Sequence, residues 1–172
     1  MRLWALTWLG LVLAATSPEA DTFQSGDWKG RANFNGEGTF TDCTVLLPDP
    51  AHTTLGFVMT PEADIGMFVA DSALRLKPGE QKPVLVLMEG QHPFAAIADI
   101  VAENGVLIPL KKGDPVFDAI AEGSKFRVSV REKEFALEPE GTAEALEALK
   151  ACVESHRGKN RVELSGLLAS LK

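Results

Sequence analysis

Three histidines and two cysteines are the residues of this 172-residue sequence best suited to chemistry near neutral pH. His52 stands in PDPAHTT close to Asp49, and His92 stands in MEGQHPF close to Glu89. Either pair offers an imidazole beside a carboxylate, the arrangement used for general acid–base work. His156 opens the basic stretch HRGKNR on a further predicted element. The sequence holds neither an H-E-x-x-H helix nor a C-x-x-C pair, so spacing alone assembles no metal site. It also lacks a G-x-S-x-G elbow that would expose a serine nucleophile. The glycines of GEG, Gly36 and Gly38, precede a strand rather than a helix, which makes the segment a turn and not a phosphate cradle. The sequence therefore assigns no catalytic, metal or cofactor-binding residue and implies no cofactor. An envelope hydrolase or other enzyme using His52 or His92 with nearby carboxylates is the alternative to a binding protein.

The cysteines say more about architecture. Cys43 lies in GTFTDCTVLL, where strand alternation puts it on one face with Val45 and Leu47. Cys152 lies in GTAEALEALKACVES, whose apolar positions Ala145, Leu146, Leu149, Cys152 and Val153 share one helical face. Thr142 is placed to cap that helix, Glu144 suits its positive end, and Gly158 stops it. Both cysteines look toward a core and admit a single intramolecular pairing, which an oxidising compartment would preserve. The other reading is two separate buried thiols.

Around these residues the chain reads as short strands. In KFRVSVR, Phe126, Val128 and Val130 point one way while Arg127, Ser129 and Arg131 point the other. Similar runs are DWKGRANF, TFTDCTVLL, TLGFVMT, IGMFVAD, KPVLVLM, FAAIADIV, VLIPL and EFALE, and AENGV carries a hairpin signal at Asn104 and Gly105. DPVFDAIAEG, with Pro115 early and Gly123 at its end, reads as a short helix. The expected fold is mainly β, an antiparallel sandwich or barrel-like sheet with one short helix and a C-terminal helix. Trp28 reads as a core residue of that sheet rather than as a carbohydrate-stacking platform.

The first residues, MRLWALTWLGLVLAATSPEA, follow Arg2 with an apolar run and then small residues, the layout of a secretory signal peptide over 1–20. The run is too short to span a bilayer, so no transmembrane span is expected after cleavage at Ala20, with Ala15 as the second choice of site. Removing this leader takes one basic and one acidic residue and leaves the formal charge at −7. An acidic surface without a dense basic patch argues against nucleic-acid binding. Residues 21–158 are expected to form a single β-rich domain. The tail 159–172 places Leu164, Leu167, Leu168 and Leu171 at helical spacing, as an amphipathic docking face would.

GDWKG, GTFTDCTVLL and the late strand-turn-helix EFALEPEGTAEALEALKACV together resemble the invasion-associated locus B group of small exported alphaproteobacterial proteins and their uncharacterised relatives, over Trp28 to Val153. The resemblance implies a β-rich fold, a periplasmic or envelope location and a link to host contact or invasion, without an established catalytic mechanism. The resulting expectation is a periplasmic or secreted interaction protein whose partner is an envelope or host protein.

Overall fold

The computed structural model describes residues 21–48, 53–88, 92–111, 113, 115–122, 125–138 and 140–158. Ten strands and two helices follow in the order β1 (Thr22–Ser25), β2 (Trp28–Phe34), β3 (Phe40–Pro48), β4 (Thr53–Met59), β5 (Ile65–Asp71), β6 (Gln81–Met88), β7 (Phe94–Ala102), β8 (Gly105–Leu110), α1 (Pro115–Ala121), β9 (Phe126–Val130), β10 (Lys133–Leu137) and α2 (Thr142–His156). The strands form one antiparallel sheet in the order β1-β2-β3-β4-β5-β8-β7-β6-β9-β10. The mainly β fold with a short helix and a C-terminal helix is thus the observed one.

The sheet does not close into a barrel, because β1 and β10 stand at opposite ends of its hydrogen-bonded order. It nevertheless curls far enough for those ends to approach. Trp28 on β2 is 1% exposed, packs against Phe57 at 5.6 Å between ring centroids, and donates its indole N–H to the carbonyl of Glu140, just beyond β10, at 2.8 Å. Alternation explains the enclosed face: Val45, Phe57, Met67, Val69, Ile108, Val86 and Val128 all turn inward and belong to one core. The sheet's other face carries Leu85, Ile97 and Val101, which remain exposed.

Helix α2 packs on β1 to β4 and on α1. Its stripe of Ala145, Leu146, Leu149, Cys152 and Val153 is buried, as its spacing predicts. Truncating a buried leucine such as Leu149 to alanine costs about 2–5 kcal/mol. The helix begins differently from the expectation of a threonine cap. Thr142 is already helical and 1% exposed, while Gly141 holds the cap position with φ 71°. A left-handed backbone there favours glycine and leaves Thr142 one residue too late to cap. At the other end the Arg157 amide donates to the Val153 carbonyl at 2.8 Å, and Gly158 turns the chain away with φ 75°.

A disulfide joins Cys43 on β3 to Cys152 on α2 across 109 positions of sequence. It clamps the last helix to an early strand. At the β7–β8 turn, Gly105 serves a different purpose from a positive φ: a Cβ there would come within 2.8 Å of the Phe68 ring, which lies across it. Gly30 is covered in the same manner by Phe23 of β1, whose ring a Cβ would overlap.

Candidate functional site at the disulfide

The end of α2, the start of β1 and the inner side of β3 meet at one place. Positions 152 and 156 lie one helical turn apart, so Cys152 and His156 project from the same side of α2. The Cys152 Sγ stands 4.0 Å from His156 Nδ1. Across the gap, Asp21 Oδ1 lies 3.3 Å from His156 Nε2, both side chains retaining 21% exposure. Asp21 is held by the sheet, since its carbonyl accepts the Ala32 amide at 2.6 Å.

The imidazole is held by two aromatic rings and by oxygens at both nitrogens. Phe40 stacks on it at 5.6 Å and 28° between ring planes, and Phe34 meets it edge-on at 5.9 Å and 78°. Nδ1 lies 2.8 Å from both the Cys152 carbonyl oxygen and Ser155 Oγ, while the Ser155 hydroxyl donates to that same carbonyl at 2.8 Å. Each ring nitrogen thus faces an oxygen, and Phe40 covers one face of the ring.

Beside this cluster runs an open groove of about 490 Å³ between β1 and α2. Phe23, Ala148 and Ala151 supply apolar wall, Gln24 and Ser155 line it with polar groups, and Cys152 and His156 close one end. Small side chains at 148 and 151 keep the helix from filling the space. No buried side-chain nitrogen or oxygen among the described residues lacks a hydrogen-bond partner.

The cluster gathers the disulfide Cys43 and Cys152 together with His156, which sequence reasoning left solitary. One ligand-type atom from each of the three lies within 4.8 Å of the others. The legible signal was the i,i+4 spacing of Cys152 and His156; Asp21 carried none, since it is remote in sequence. His92 is exposed just ahead of β7. His52, Asp49 and Glu89 lie outside the described residues, as do Leu164, Leu167, Leu168 and Leu171. Among the described residues no helix is long and apolar enough to cross a membrane, which together with the disulfide is compatible with export.

No protein-family model, no curated protein and no solved structure matches this chain.

Proposed function

We propose that the chain is an exported interaction protein of the periplasm or envelope, and that the groove between β1 and α2 receives an apolar segment of a protein partner. The observation that carries this reading is the groove itself. Its volume falls in the range of about 300–1,000 Å³ typical of binding sites, and its wall is apolar with a few polar groups along it. Phe23 is an anchor already positioned by packing over Gly30, and the side-chain oxygens of Gln24 and Ser155 can accept hydrogen bonds from a partner backbone. The leader-like first residues and the resemblance to the invasion-associated locus B group support the compartment and a link to host contact.

The test is site-specific. A photo-crosslinking residue at position 24, on the opposite wall of the groove, should capture a defined protein in intact envelopes, and Ala148→Arg or Ala151→Arg should abolish that capture while leaving the melting temperature within a few degrees, as surface changes usually do. Undiminished capture in both arginine variants would remove the groove from the proposal. Joint replacement of His52 and His92 by alanine should leave capture and phenotype intact. Loss of phenotype in that variant, with folding unchanged, would favour the enzyme alternative.

A further inference from the structure

We propose that reduction of the Cys43–Cys152 bond opens a metal site in which Cys43 Sγ, Cys152 Sγ and His156 Nδ1 ligate a thiophilic cation of the Zn²⁺ class. The ligands are the cluster's own residues, and the groove serves this site only as the route of access.

The ligand set is assembled before any cation arrives. One ligand-type atom from each of the three residues lies within 4.8 Å of the others, and Cys152 Sγ to His156 Nδ1 is 4.0 Å. Two thiolates and an imidazole suit Zn²⁺ and exclude the oxygen-seeking Ca²⁺ and Mg²⁺ as preferred occupants. The support behind the imidazole matches that of a metal-bound histidine. Asp21 Oδ1 lies 3.3 Å from Nε2, so in the neutral ring with its proton on Nε2 that proton is donated to Asp21 and Nδ1 is the ligating atom. Phe40 and Phe34 hold the ring plane. Ligation takes Nδ1 away from the Cys152 carbonyl, yet that oxygen keeps the Ser155 hydroxyl as its donor. No backbone acceptor is orphaned. A water entering from the groove completes four-coordination.

The redox step follows from exposure. Cys43 is fully buried, whereas Cys152 borders the groove, so an incoming dithiol reaches Cys152 Sγ. Its thiolate bonds to Cys152 and expels the Cys43 thiolate, which takes up a proton. The reductant's second thiolate then attacks the mixed disulfide and expels Cys152. The dithiol is oxidised to a disulfide by two electrons, and the protein gains two thiols. Binding of Zn²⁺ subsequently releases two thiol protons. The bonded form offers no thiolate and binds no cation there.

The test uses the full mature chain, reduced by a phosphine and titrated with Co²⁺ and then Zn²⁺ under exclusion of oxygen. The expected result is one Co²⁺ per chain with a thiolate-to-cobalt charge-transfer band, displacement by Zn²⁺, and a raised melting temperature of the reduced protein. The oxidised chain should show no such band. His156→Ala should weaken binding at least tenfold, and Asp21→Asn should weaken it by about tenfold to a hundredfold through the second sphere. Circular dichroism follows the fold throughout. Absence of the band in the reduced chain, whether it stays folded or unfolds and is not refolded by the cation, overturns the proposal. So does equal affinity in His156→Ala, or equal binding by the oxidised form.

Discussion

Reducing the single disulfide, with both sulfur atoms left in place and metal ions withheld, should lower the melting temperature of the mature protein by about 15 °C. The cross-link spans 109 positions. Loop-closure entropy for that span is about 16 cal/mol/K, or about 4.8 kcal/mol at 25 °C. For a domain of this size each kcal/mol moves the midpoint by about 3 °C. Helix α2 also buries Ala145, Leu146, Leu149 and Val153, so the reduced protein should keep its low-temperature circular dichroism spectrum and lose stability rather than fold. Thermal melts of oxidised and phosphine-reduced wild type, each with a chelator, make the comparison. Cys43→Ala/Cys152→Ala should fall somewhat further, since two buried sulfurs are then missing as well. A fall of less than about 5 °C on reduction would refute the chain-entropy reasoning and show that packing alone holds α2.

Trp28→Ala should cost about 3–5 kcal/mol in urea unfolding, because it removes a buried aromatic together with the hydrogen bond to Glu140; Trp28→Phe should cost distinctly less. Gly30→Val should destabilise by about 1–3 kcal/mol by evicting the Phe23 ring, and a double-mutant cycle with Phe23→Ala should recover part of that loss. Glu80 should titrate below the usual carboxylate range, because Lys82 donates to its carboxylate at 3.0 Å and attracts it, with Lys77 adding a smaller attraction. A pKa lowered in the folded state contributes stability above the unfolded pKa and loses it as pH falls through the folded value. Lys82→Ala should therefore raise the Glu80 midpoint followed by NMR, and an unmoved midpoint would contradict the assignment.

The strands were legible where alternation ran long enough to exclude other readings. Phe126, Val128 and Val130 announced β9, and Cys43 with Val45 announced the core side of β3. Helix α2 was legible from its stripe, but its cap was not, because Thr142 fits a capping position by composition and only the backbone angle of Gly141 decides between them. Strand β1 escaped notice: four residues, TFQS, carry too little alternation to read. That omission hid the groove, since β1 supplies one of its walls. The cysteine pairing followed from composition and face. The placement of Asp21 beside His156 did not, because it depends on how far the sheet curls, and no local pattern encodes curvature. Asn104 and Gly105 read as a hairpin turn, and β7 and β8 do join there; what the pattern did not show is that Gly105 and Gly30 also leave room for the Phe68 and Phe23 rings.

The position of Cys152 near the end of the folded chain also sets an order of events. Disulfide formation takes seconds to hours, and here it waits for the whole span of 109 positions between Cys43 and Cys152 to be delivered. Hairpins form in about 1–10 μs, so β2, β3 and β4 have ample time to find their partners while Cys43 is still a thiol. The bond therefore does not dictate the register of β2, β3 and β4; it seals local pairings already made. During that interval Cys43 is a thiol whose core face still lacks α2, and it is open to exchange with any disulfide it meets until its partner has been made.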